Sequence, residues 1–365
     1  MQYLHLNHPF PLESGQTLDR LTICYTTYGQ LNAARDNVVW VAHALTGNAD
    51  PVEWWGELVG SGRVLDPANY FIVCANMLGS CYGTSGPTHY APGQSSRYGL
   101  EFPLVTTRDM ARAHELLSLH LGIDHIYLGI GGSMGGQQLL EWAIEAPQRF
   151  EQLCLLATNA KHSPWGIAFN EAQRMALQSD PTLGTDQADA GRAGLAAARA
   201  VAMLSYRHYQ TYGGSQQEAD DQPIDNFRAS SYQQYQGQKL WQRFDPAAYW
   251  VLSKAMDSHN VGRKRGGVAA ALGRITAHTL VVGIDTDLLF PVIEQSEIAE
   301  HIPLSRFEVI TSDFGHDGFL TETATIKQLL QNFLQVRFNG RKPAPLLNKR
   351  LAFRGSYVLP GSEAF

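Results

Sequence analysis

Residues Gly131-Gly132-Ser133-Met134-Gly135 read G-x-S-x-G, and the flanking sequence gives the pattern its meaning. A short apolar run, "HIYLGIGG" (125–132), leads into it, and a helical pattern, "QQLLEWAIEAP" (137–147), follows at once. A serine on such a strand-to-helix corner is held in a strained backbone with its hydroxyl clear of the sheet edge. Glycines on either side leave room for the neighbouring strand and helix. The helix that begins after Ser133 turns free N–H groups and the positive end of its dipole towards the serine, where an oxyanion would form. The chemistry indicated is nucleophilic attack on an acyl carbon.

A nucleophilic serine needs a base, and the base needs an orienting acid. At a corner of this kind the chain order is serine, acid, histidine. His316 stands in "SDFGHDGFL", after the strand-like "RFEVIT" (306–311) and before the last helical run, at a carboxyl strand end where ligand sites collect. His162, His208 and His259 fall in a region without strand patterns, and His278 opens a strand at its opposite end. For the acid, "VVGIDTDLLFP" offers Asp285 and Asp287; Asp287 lies further beyond the strand and before a turn closed by Pro291, and is the better placed. An oxyanion hole needs two donors. The backbone N–H of Met134 is one, and the loop in "VAHALTG" (41–47) supplies the other through Leu45. His43 in that loop reads as a satisfied core histidine.

The elements that must hold these residues alternate. Strand patterns occur at 20–28, 37–45, 70–77, 125–132, 153–158, 278–284 and 306–311, with helical patterns at 106–122, 137–147 and 323–338. Such alternation predicts a parallel sheet covered on both faces. From about 160 to 275 no buried strand is apparent, while helical runs recur at 191–209 and 245–256. Because this interval lies between core strands, it reads as a helical lid inserted into one domain. The expected division is a discontinuous core of residues 1–160 and 275–340, a lid of 161–274 and a tail of 341–365. The segment 215–226, "SQQEADDQPIDN", reads as a polar surface loop.

Composition limits the function classes. A formal net charge of −6 argues against nucleic acid as the main partner, and no run of 18 apolar residues predicts a membrane span. The first residues carry no basic or apolar leader pattern. Cys24, Cys74, Cys81 and Cys154 lack metal-ligand spacing, so the expectation is a reduced, cytoplasmic protein without a metal, with structural thiols; Cys81 in "GSCYG" is the one that could line a pocket.

The segments "HALTG", "NMLGSCYGTSGP", "GGSMGGQQLLEWA", "YQGQKLWQRFDPAAYWVLSKAMDSHNVGRKRGG", "GIDTDLLFP" and "FGHDGFL" together resemble the homoserine O-acyltransferases over roughly residues 5–338. The resemblance implies an α/β-hydrolase fold with an inserted helical lid, and Ser133, Asp287 and His316 as nucleophile, acid and base. It implies that Arg199, Tyr206 and Asp317 bind the amino acid, with Arg199 and Tyr206 two helical turns apart on one face. It further implies transfer of an acetyl group from acetyl-CoA, as co-substrate and with no cofactor, to the γ-hydroxyl of L-homoserine, in a homodimer joined through lid helices. "GTSGP" and "ASSYQQYQG" (229–237) depart from the family pattern, which bears on acyl-chain or acceptor preference. Succinyl-CoA as donor, L-serine as acceptor, an esterase or thioesterase with the same triad, and a non-enzymatic use of the fold are the alternatives.

Overall fold

Eight strands form the central sheet of the computed structural model, which describes residues 1–335. They are β1 (Gln2–Leu6), β2 (Leu21–Tyr28), β3 (Val38–Ala42), β4 (Phe71–Ala75), β5 (Ile126–Gly132), β6 (Phe150–Leu156), β7 (His278–Ile284) and β8 (Ser305–Ile310). Their order across the sheet is β1-β2-β4-β3-β5-β6-β7-β8. The β1–β2 and β2–β4 pairs are antiparallel, and every later pair is parallel. This is the mostly parallel sheet of an α/β-hydrolase, as the sequence implied.

β3 illustrates why the sheet is covered twice. All five residues of "VVWVA" are buried. Val38, Trp40 and Ala42 enter one apolar core, and Val39 and Val41 enter the other, following the two-residue alternation of a strand. The expected strand 37–45 ends at Ala42, and the following residues leave the sheet as a loop at its carboxyl edge. β1 was not foreseen: only Leu4 of its five residues is buried, so it carries no clear alternation.

The longer helices are α1 (Thr107–His120), α2 (Met134–Glu145), α3 (Pro164–Gln178), α4 (Arg192–Tyr206), α5 (Arg228–Trp241), α6 (Pro246–Asp257), α7 (Val292–His301) and α8 (Thr323–Gln335). Helices α3 to α6 all lie between β6 and β7 in the chain. Ser163 and Asp245 cap α3 and α6 through side-chain bonds to the third helical N–H, each followed by proline at the first helical position. The inserted helices pack closely. A Cβ on Gly194 of α4 would stand 2.5 Å from the Leu177 carbonyl of α3, and one on Gly237 of α5 would stand 2.7 Å from the Ala196 carbonyl of α4. The end of the insertion is tied back to the core by ion pairs: Glu13, which also pairs with Arg108 of α1 at 2.5 Å, receives Arg263 at 2.8 Å, and Glu141 receives Arg265 at 2.6 Å. Burial raises the Glu13 carboxyl, but its arginine partners outweigh that and hold it down to about 2. The expected tail, 341–365, and the last residues of the helical run 323–338 lie outside the described residues.

Candidate active site

Ser133 occupies the junction of β5 and α2 with φ 55° and ψ −128°, a backbone region that side chains rarely tolerate. Its N–H donates to the Leu156 carbonyl at 2.9 Å, and its carbonyl accepts from the Thr158 hydroxyl at 2.7 Å. The flanking glycines answer to named obstacles: a Cβ on Gly131 would stand 2.8 Å from Gly135 backbone, and one on Gly135 would stand 2.1 Å from the Ala42 carbonyl. The corner is therefore clamped between the end of β3 and the start of α2.

Beyond β7 and β8, two buried side chains meet. His316 Nδ1 donates to Asp287 Oδ2 at 2.7 Å. The other Asp287 oxygen accepts the N–H groups of Leu289 and Phe290, each at 2.8 Å. Three donors hold this carboxylate in place and, through it, the orientation of the imidazole. The imidazole lies flat on Phe290, with ring centroids 4.9 Å apart, and edge-on to Phe319 at 5.3 Å. Asp285 instead accepts the Ser312 N–H at 3.1 Å and does not meet the histidine.

Ser133 and His316 line one cavity of about 270 Å³, together with Leu45, Arg199, Tyr206 and Asp317. Arg199 and Tyr206 are on the same face of α4, with the guanidinium 5.1 Å from the ring centroid. Loss of water around Tyr206 raises its phenol pKa, and Arg199 works against that rise. Arg207, which the sequence reading did not single out, also lines the cavity, and its Nε stands 3.0 Å from Asp317 Oδ2 in an ionic contact without an aligned hydrogen bond. The cavity thus pairs guanidinium groups suited to a carboxylate with a carboxylate suited to an ammonium. Arg207 follows Tyr206 directly in "LSYR", which is the only signal the sequence offered for it. Arg243 closes the same cavity, donating to the Thr46 carbonyl at 2.6 Å.

Three of the other histidines that follow Ser133 have structural partners. His259 Nδ1 lies 2.8 Å from the Thr107 hydroxyl and Nε2 lies 3.0 Å from the Asn159 carbonyl. His162 packs on Phe290, and His208 caps a short helix at 209–215. Cys81 is partly buried against the core, and burial pushes its thiol up to about 12. Among the described residues no group of three or more His, Cys, Asp or Glu side chains could hold a metal ion, and no helix is long and apolar enough to cross a membrane.

A family model for the alpha/beta hydrolase fold matches residues 37–323. The homoserine O-acetyltransferase of Cyclobacterium marinum is 49% identical over 322 residues, covering 88% of this chain and 92% of that protein. The crystal structure of homoserine O-acetyltransferase from Staphylococcus aureus superposes with a TM-score of 0.79 at 30% identity, covering 93% of this chain and 97% of that one. The crystal structure of esterase E22 gives a TM-score of 0.83 at 21% identity over 92% of this chain and 99% of that one, a likeness of fold alone.

Proposed function

The chain belongs to the homoserine O-acetyltransferases, a family built on the α/β-hydrolase fold, and from that premise we propose that it moves an acetyl group from acetyl-CoA to the γ-hydroxyl of L-homoserine in two half-reactions on Ser133. The observation that carries this reading is the convergence of Ser133, a His316–Asp287 pair and the charged set Arg199, Tyr206 and Asp317 on one cavity. In the first half-reaction His316 Nε2 takes the Ser133 proton as Oγ attacks the thioester carbonyl. The Leu45 and Met134 N–H groups hold the oxyanion. Collapse breaks the C–S bond, and His316 returns the proton to the CoA thiolate. In the second, homoserine enters with its carboxylate on Arg199 and Tyr206 and its ammonium on Asp317. His316 takes the γ-hydroxyl proton, the oxygen attacks the acetyl-serine, and collapse restores Ser133 with the proton from His316. No cofactor takes part, and the product is O-acetyl-L-homoserine.

Water is the competing acceptor, so the inserted helices α3 to α6 act in this reading as a lid that keeps the acyl-enzyme dry. The same helices expose Trp165, Met175, Leu204 and Tyr235, which supports a homodimer joined through them. A single-copy mass in sedimentation at micromolar concentration would remove that part of the proposal. Four free cysteines suit the reducing cytoplasm, where we place the enzyme.

The test is to supply acetyl-CoA or succinyl-CoA with homoserine, serine or no acceptor, and to follow thiol release and product mass. Acetyl-CoA with homoserine should give the fast release and O-acetylhomoserine. Ser133→Ala should lower kcat by about 10⁶-fold. Full-rate thiol release without an acceptor would make the protein a thioesterase, and a preference for serine or succinyl-CoA would reassign acceptor or donor.

A further inference from the structure

Behind the cavity, His43 and Gln138 are buried, and neither enters the steps above. His43 stands where the chain leaves β3. Its Nε2 accepts the Met77 N–H at 3.1 Å, which assigns the ring proton to Nδ1, and Nδ1 donates to the Ala44 carbonyl at 2.8 Å. The Gly47 N–H reaches the same carbonyl at 2.9 Å. The Ala44–Leu45 peptide is trans, so its C=O and N–H point in opposite directions. Drawing the carbonyl towards the buried imidazole therefore turns the Leu45 N–H away from the core, on the loop that borders the cavity.

Gln138 completes the arrangement from α2. Its amide nitrogen donates both to the His43 carbonyl at 3.2 Å and to the Met134 carbonyl at 3.1 Å. Its amide oxygen is 2.8 Å from His114 Nε2, which fixes which end of the amide faces the loop. One side chain thus links the loop that carries Leu45 to the first turn of the helix that carries Met134. The bare Gly135 lets these two segments touch. Burial lowers the pKa of His43 and of His114 to about 4, so both rings stay neutral and keep these roles at neutral pH.

We propose that His43 and Gln138 are positioning residues that fix the direction and spacing of the two oxyanion donors, Leu45 N–H and Met134 N–H. The proposal rests on the acyl-enzyme reading of Ser133. Neither residue touches substrate, so their loss should act on turnover and not on acceptor binding.

Two substitutions at one position separate positioning from mere stability. His43→Asn keeps an amide N–H near Nδ1 and loses the acceptor near Nε2; His43→Gln does the reverse. Each forfeits one buried hydrogen bond, so their Tm values should fall alike. His43→Asn should retain kcat within a few-fold. His43→Gln should lose about 10²-fold in both half-reactions, with the KM for homoserine within about twofold. Gln138→Met, which keeps the volume and removes both donors, should behave as His43→Gln does. Acylation is also followed with p-nitrophenyl acetate, which needs no amino acid. Equal kcat in the two histidine variants, or wild-type kcat in Gln138→Met, overturns the proposal. If the wild type acylates no homoserine while the nitrophenol burst still follows the His43 pattern, the transferase reading falls and the positioning roles stand.

Discussion

A Cβ on Gly132 would stand 2.3 Å from the Phe319 ring, and Phe319 packs edge-on against His316. The glycine beside Ser133 therefore helps decide where the imidazole can lie, although 184 residues separate them in the chain. Asp317 carries the clearest prediction at this scale. Asp317→Asn keeps the shape but removes the charge that would face an ammonium, so the KM for homoserine should rise roughly 10- to 100-fold, the equivalent of one charge-assisted hydrogen bond. Thiol release from the first half-reaction should stay within a few-fold of wild type. A KM that does not move would take Asp317 out of amino-acid binding. That Ser133 and the His316–Asp287 pair would meet at one cavity was legible because their types fall just after core strands in a fixed order. Arg207 was not, because its place depends on how the end of α4 meets the loop at Gly315, where an added Cβ would lie 3.0 Å from Arg207 backbone. His43 was read as a satisfied core histidine, and its two partners agree; which way it turns the next peptide is a three-dimensional fact that no local pattern encodes.

At the scale of elements, the parallel strands announced themselves as continuous apolar runs, since both faces of the sheet are covered. The inserted helices were harder to delimit. α5, "RASSYQQYQGQKLW", buries only Gly237 and Leu240, so its sequence lacks an apolar stripe and its position follows from packing on α4. That packing is tight and therefore testable. Gly194→Ala would bring a methyl group to 2.5 Å from the Leu177 carbonyl and should force α4 off α3. The expected result is a loss of about 1–3 kcal/mol in stability and a larger fraction of acyl-enzyme lost to water instead of homoserine. Product ratios with and without homoserine would read this directly. An unchanged ratio in a destabilised variant would mean that α4 does not control water entry.

The whole molecule carries several buried neutral histidines, and these set its response to acid. Burial depresses the pKa of His43, His114 and His162 to about 4 and of His259 to about 3, against 6.5 for an exposed ring. A depressed folded-state pKa means that the unfolded chain binds these protons first, so the stability they contribute is complete above pH 6.5 and declines as pH falls below it. Each histidine removes about 1.4 kcal/mol per pH unit in that window. Asp109, Asp245, Asp257 and Glu294, raised by burial, act in the opposite sense at lower pH. Thermal melts should therefore show Tm falling steeply between pH 7 and 5; a flat profile would contradict the buried, uncharged assignment. The insertion between β6 and β7 has a further consequence in time. Ser133 leaves the ribosome long before Asp287 and His316; the Trp55 indole must wait for Phe319, 264 residues later, and Glu13 for the second of its two arginines, Arg263, 250 residues later. A nascent chain can shape its elbow early, yet Ser133 stands without the His316–Asp287 pair until those later residues are made. In the proposed mechanism, a copy halted before His316 has no base for Ser133 and consumes no thioester.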